Sequence, residues 1–268
     1  MISDYSREPR NGKKPEYLVV FMHGYGSSGA LMSQYVGDLL GPLLPEAKLR
    51  FPDAPVQMGW DHHSWFELRD VIDNDNLDVI RKAVKDRAPA VAKDLNAYIT
   101  RVAAEDGIPE DRIIIAGFSQ GGTMAFYTGL SRETPVAGVF SISGGALDWI
   151  PKINSQPSVK LVAGELEQQE YSGAPHAQKV QAFLVQKGVP AEVSIIAGQK
   201  HETSPASMEM LRDFARTLTA PALQTEVSEL KAAVKELTAR VRELEGPAAK
   251  LDKPVLRQPK HPSPPSAP

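Results

Sequence analysis

Between residue 17 and about residue 219 the chain alternates short apolar runs, rich in Val and Ile, with longer stretches whose apolar residues recur at helical spacing. The runs at 17–22, 47–51, 112–117, 136–142, 159–163 and 192–196 are bounded by Gly, Pro or Asp, as buried parallel strands are. Between them, residues 77–105 set Ile80, Val84, Val91, Leu95, Ile99 and Val102 on one helical stripe, and shorter helices are predicted over 30–44, 120–130, 175–187 and 205–218. This alternation predicts an α/β fold: a mostly parallel sheet with helices on both faces and ligands at the carboxyl ends of the strands.

The ends of the chain read differently. Residues 1–15 are polar, carry Pro9, Gly12 and Pro15, and are expected to form a flexible arm with no signal peptide. The α/β domain is expected over 16–219. After it, Leu223, Val227, Leu230, Val234, Leu237, Val241 and Leu244 are spaced 4-3-4-3-4-3, with Val at each a position and Leu at each d position. That narrow seam predicts a coiled-coil helix over 220–245, and β-branched a with Leu at d favours a parallel pair. In this register Glu226 at g faces Lys231 at e of a partner, and Arg240 faces Glu245. A homodimer or other homo-oligomer through 223–244 is expected, with packing of the helix on its own domain as the competing arrangement. Residues 246–268 hold seven prolines and are expected to be a disordered, partly polyproline-II tail.

Composition narrows the chemistry. The 268 residues include 30 Lys and Arg against 33 Asp and Glu, a net charge of −3 that gives no basic surface for nucleic acid. No apolar run is long enough for a membrane span. There is no cysteine, which excludes disulfides, thiolate metal sites and a cysteine nucleophile. A cytoplasmic protein is the expectation.

The sharpest motif is Gly117-Phe118-Ser119-Gln120-Gly121, directly after the 112–117 strand and opening a helix. In that context G-x-S-x-G is a nucleophile elbow: small residues flank a tight turn that lifts Ser119 to the N-terminus of the next helix. A second glycine cluster, His23-Gly24-Tyr25-Gly26-Ser27-Ser28-Gly29, follows the first strand of the α/β pattern. It lacks the Gly-Lys-Ser/Thr ending of a phosphate loop and fits an oxyanion loop better. Two backbone N–H groups are needed there, assigned to Gln120, after the nucleophile, and Tyr25. In this architecture the order is Ser, acid, His, which discards His23. Of the later histidines, His261 lies in the tail and His176 is expected at the surface. His201, between the last strand and last helix, is the candidate base. The acid then comes from Glu165, Glu167 or Glu170, after the 159–163 strand. No cofactor and no metal are expected. The adjacent His62 and His63 lack further ligands, and Asp70, Asp73 and Asp75 lack the spacing and downstream Glu of a calcium loop.

These residues resemble the carboxylesterase, lysophospholipase and acyl-protein thioesterase family of α/β-hydrolases, over about residues 14–218. Met22-His23-Gly24-Tyr25-Gly26 is similar to its L-H-G-x-G, Phe51–Pro55 to F-P-x-A-P and Ser64–Leu68 to S-W-F/Y-D-I. Gly117–Gly122 reads G-F-S-Q-G-G, and Ser143-Gly144 corresponds to an S-G pair after the next strand. The family's H-G-x-x-D-x-V-V-P is replaced by Ala163-Gly164-Glu165-Leu166-Glu167-Gln168-Gln169-Glu170-Tyr171. Counting three past the glycine puts Glu167 in the acid position. The resemblance implies a serine esterase or thioesterase acting on short to medium acyl chains. It also implies that the loop holding Met58, Trp65 and Phe66 lines the acyl groove, although Trp65 and Phe66 are equally suited to pinning that loop to the core. A degraded, non-catalytic scaffold oligomerised by the coil is the rival reading, and the joint presence of Ser119, Gln120 and His201 argues against it.

Overall fold

The computed structural model describes residues 2–71, 76–145, 152–167, 172–220, 230 and 232–241. Nine strands and five α-helices are named among them: β1 Asp4–Arg7, β2 Tyr17–Met22, α1 Gly29–Leu43, β3 Ala47–Pro52, β4 Val56–Gly59, β5 His62–Ser64, α2 Leu77–Asp106, β6 Ile113–Phe118, α3 Gln120–Ser131, β7 Gly138–Ile142, β8 Ser158–Gly164, α4 Ala174–Gln186, β9 Ala191–Ile196 and α5 Pro205–Thr219. The main sheet has the order β1-β3-β2-β6-β7-β8-β9, parallel throughout except where β1 runs against β3. Each apolar run forms the strand expected of it, within one or two residues.

Alternation along the strands divides the core in two. Leu18, Val20, Met22, Ile113, Ile115, Val139 and Leu161 face α2, α3 and α4. Tyr17, Val19, Phe21, Ile114, Ala116, Phe140 and Val162 face α1 and α5. Burial on both faces explains why these strands read as continuous apolar runs rather than alternating ones.

The N-terminal segment departs from the expected flexible arm, because residues 4–7 form the edge strand β1. Its sequence, Asp-Tyr-Ser-Arg, carries no apolar pattern. What holds it is long-range charge: Arg50 on β3 donates to Asp4 at 2.8 Å and to Asp106 at 2.7 Å, while the Tyr98 hydroxyl donates to Asp4 at 3.1 Å.

The loop after β2 is tied down from three sides. The buried His23 ring accepts the Ala54 N–H at Nε2, 3.1 Å, so its proton sits on Nδ1 and is donated to the Gly24 carbonyl at 2.7 Å. Trp65 donates its indole N–H to the His23 carbonyl at 2.8 Å. The β4–β5 hairpin, which the apolar pattern does not announce, exchanges main-chain bonds with the loop. Gly26 N–H reaches the His63 carbonyl at 2.9 Å, and His63 N–H reaches the Ser27 carbonyl at 2.8 Å.

Beyond α5, residues 232–241 are helical, and Leu230, Val234, Leu237 and Val241 are exposed. The other seam positions, Leu223, Val227 and Leu244, and the tail 246–268 lie outside the described residues, as do Asp73 and Asp75. Among the described residues no helix is long and apolar enough to cross a membrane.

Burial lowers the pKa of His23 to about 4, against an ordinary value of 6.5. The unfolded chain therefore binds a proton that the folded chain refuses, and stability falls as pH drops from about 6.5 toward 4. Urea unfolding at pH 7 and pH 4 is expected to show that His23→Asn loses about 3 kcal/mol less than the wild type over this interval. Equal acid losses in the two proteins would remove His23 as the source.

Candidate active site

The turn between β6 and α3 is dictated by three glycines. A Cβ on Gly121 would lie 2.2 Å from the Met22 carbonyl oxygen, and one on Gly117 would lie 2.4 Å from the Gly121 carbonyl carbon. The chain between them therefore turns sharply, and Ser119 takes φ 54°, ψ −117°, a strained conformation for a side-chain-bearing residue. Gly24, from the loop after β2, comes close enough that a Cβ there would meet the Phe118 ring at 3.1 Å and the Ser119 Cβ at 3.5 Å. Ser119 is the N-cap residue of α3 but makes no side-chain cap bond.

Its hydroxyl is engaged elsewhere. Ser119 Oγ lies 2.9 Å from His201 Nε2, and His201 Nδ1 lies 3.1 Å from Glu167 Oε2. The His201 ring packs against Phe118, with centroids 4.9 Å apart. Of the three glutamates open to the sequence, Glu167 is the one that meets the histidine. Glu165 instead accepts the Gly198 N–H at 2.9 Å, and Glu170 lies outside the described residues. The acid and histidine loops are laced together past the last rungs of the β8–β9 ladder: Glu165 N–H bonds the Ile196 carbonyl and Leu166 N–H the Gln199 carbonyl, both at 2.9 Å. A Cβ on Gly164 would stand 2.3 Å from the Gln199 carbonyl, so glycine is needed for this approach.

The Glu167 side chain is fully buried. Burial by itself would raise its pKa, but hydrogen bonds from His201, Ser143, the Gly164 main chain and Ser172 outweigh that effect and hold the carboxyl below the usual glutamate value. Oε1 accepts Ser143 Oγ at 2.5 Å and Gly164 N–H at 2.6 Å, and Ser172 Oγ lies 3.4 Å from His201 Nδ1. Sequence reasoning gave no role to Ser143, although the Ser143-Gly144 pair was visible, and it missed Ser172.

Gln120 occupies the first position of α3, where a backbone N–H has no partner within the helix. Its buried side chain does something the motif did not announce: Oε1 accepts the Trp65 N–H at 2.9 Å, and Nε2 donates to the Phe66 carbonyl at 3.2 Å. Trp65 and Phe66, implied as groove residues, are 0% and 3% exposed and present no surface to a ligand. They anchor the loop from beneath, because the indole is committed to the His23 carbonyl and the loop backbone to Gln120. Met58, on β4 of the hairpin, is half-buried, and Tyr25 is half-buried in the loop that abuts Ser119. His176, expected at the surface, is buried in the first turn of α4. His62 and His63 each bond a main-chain carbonyl, at 2.7 and 3.0 Å.

The phospholipase/carboxylesterase family model matches residues 8–219. A stretch of 160 residues is 35% identical to acyl-protein thioesterase 1 of Mycosarcoma maydis and covers 53% of this chain and 61% of that protein. Acyl-protein thioesterase 1 homolog 1 of Dictyostelium discoideum is 25% identical over 212 residues, 73% of this chain and 88% of its own length. Among solved structures, esterase PE8 superposes with a TM-score of 0.72 at 26% identity, covering 81% of this chain and 99% of that one. The strand order, the elbow at Ser119 and the extent of the match together establish that this chain belongs to the phospholipase/carboxylesterase family and has the α/β-hydrolase fold.

Proposed function

We propose that the chain is a serine hydrolase that cleaves carboxylic esters or thioesters of short to medium acyl length through an acyl-enzyme. The observation that carries this reading is the continuous relay from Ser119 Oγ through the His201 ring to a buried, ionised Glu167. His201 Nε2 takes the Ser119 proton as Oγ attacks the acyl carbon, and Glu167 stabilises the imidazolium and fixes its tautomer without taking the proton. The N–H groups of Gln120 and Tyr25 receive the oxyanion, helped by the N-terminus of α3. His201 then passes its proton to the leaving alcohol or thiol, and a water molecule, activated by the same ring, releases the acid. Met58 is assigned to the acyl groove. The names of the relatives, thioesterase and esterase, agree with this class of substrate. The relay disfavours a non-catalytic scaffold, whose Ser, His and acid would have no reason to stay aligned.

Two further points belong to the proposal. A cytoplasmic setting is part of this reading, and among the described residues no helix is long and apolar enough to cross a membrane. A parallel homodimer through 223–244 is supported by the exposed Leu230, Val234, Leu237 and Val241 and by the opposite charges of Glu226 and Lys231 and of Arg240 and Glu245.

Hydrolysis of p-nitrophenyl acetate, butyrate and octanoate tests the activity. Ser119→Ala and His201→Ala are each expected to lower kcat by about 10⁴-fold or more, and Glu167→Gln by less. A fluorophosphonate should label the wild type and not Ser119→Ala; wild-type turnover by that variant would end the serine-hydrolase reading. Because its hydrogen bonds hold Glu167 ionised below the usual glutamate range, protonation of Glu167 is expected to leave kcat/KM unaffected within that range, which a pH–rate profile checks. Light scattering of the full chain should give a dimer that Val234→Asp converts to monomer while activity on small esters is kept. A monomeric wild type would refute the coiled coil.

A further inference from the structure

We propose that Ser143, seconded by Ser172, is a positioning residue that fixes the Glu167 carboxylate and so lets a glutamate fill the acid place of the triad. This rests on the serine-hydrolase reading above and concerns a residue to which that reading gives no task.

Glutamate has one more rotatable bond than aspartate, so bonding one oxygen to the histidine leaves the rest of the side chain free to swing away. Here the far oxygen is held as well. Oε1 receives both the Ser143 hydroxyl at 2.5 Å and the Gly164 N–H at 2.6 Å, so the carboxylate plane cannot turn about its terminal bond without losing both. Ser172, which is buried, bonds the same carboxylate and lies 3.4 Å from His201 Nδ1, on the side where the imidazole meets it. Two hydroxyls and one backbone N–H thus do the aiming that a shorter side chain would need less.

The backbone at Ser143 points the same way. Its φ is 53°, a left-handed value that favours glycine. Its N–H is spent on the Val162 carbonyl at 2.8 Å, so the hydroxyl alone distinguishes Ser143 from a glycine that would sit there with less strain. Strain kept at a position next to the reacting groups marks a side chain with work to do. Ser143 bonds neither Ser119 Oγ nor His201, so its influence runs through Glu167.

The informative variant is Ser143→Gly, because it deletes the hydroxyl while easing the backbone. Its melting temperature should equal or exceed that of the wild type, while kcat on p-nitrophenyl butyrate falls about tenfold or more and KM is unchanged. The same substitution made in Glu167→Ala should cost nothing further, since the group it positions is gone. Ser143→Ala should repeat the kinetic loss, and Ser172→Ala should lower kcat in the same direction. Wild-type kcat in both Ser143 variants would overturn the proposal, and so would an equal fold loss with and without Glu167, which marks a merely structural residue. A wild-type enzyme whose turnover does not depend on Ser119 would instead strike the serine-hydrolase reading, so the two failures are told apart by the Ser119→Ala control.

Discussion

Everything at the site follows from how closely α3 approaches the end of β2. The backbone at Gly121 sits against the Met22 and His23 carbonyls with no room for a side chain. That contact fixes the pitch of the β6–α3 turn, and the turn forces Ser119 into a conformation of order 1–3 kcal/mol above an ordinary one. A marginally stable chain keeps such a residue only where its surroundings leave no alternative. β2 and β6 supply them: both are parallel, paired residue for residue and buried along nearly their whole length. The apolar core is thus the reason Ser119 can stand proud of the sheet, and the glycines are the reason it stands in that place.

Two histidines flank this turn, and the protein treats them in opposite ways. His23 is fully buried against Trp65 with no counter-charge in hydrogen-bonding contact, so desolvation keeps it neutral and it serves as a two-ended strut between main-chain groups. His201 is partly exposed and faces a carboxylate that stays ionised, so a positive charge formed on its ring is met at once. The same side chain is a fastener in one environment and, in the mechanism proposed above, a proton carrier in the other, and only burial and the neighbouring charge separate the two.

Much of this was legible in the sequence. Runs of Val and Ile bounded by turn residues located the strands of the parallel sheet because burial on both faces leaves an unbroken apolar signature. The strand–Gly-x-Ser-x-Gly–helix context located Ser119, and chain order led to His201 and narrowed the acid to three glutamates, from which the resemblance took Glu167. What was not legible depends on contacts distant along the chain. β1 is polar and is held by Arg50 and Tyr98, the second of them 94 residues away. The β4–β5 hairpin has only a few residues per strand and gains its place by pairing with the loop after β2. Trp65 is as apolar in a groove as in a core, and only the Gln120 and His23 bonds show which it is. The Ser143-Gly144 pair was visible, but nothing local tells that its hydroxyl holds a carboxylate 24 residues further on.

The lacing of the acid loop to the histidine loop has a mechanical consequence. Glu165 and Leu166 are bonded to Ile196 and Gln199, so Glu167 and His201 are carried by one pair of joined loops at the ends of β8 and β9, while Ser119 is carried by β6 and α3. The 2.9 Å hydrogen bond from Ser119 to His201 and the packing of the His201 ring on Phe118 join this pair to the Ser119 turn. Both contacts are made by the same imidazole. A displacement of either loop therefore moves Glu167 and His201 together and reaches Ser119 as a shift of that one ring, much as a lever passes on the motion of its whole arm at its tip.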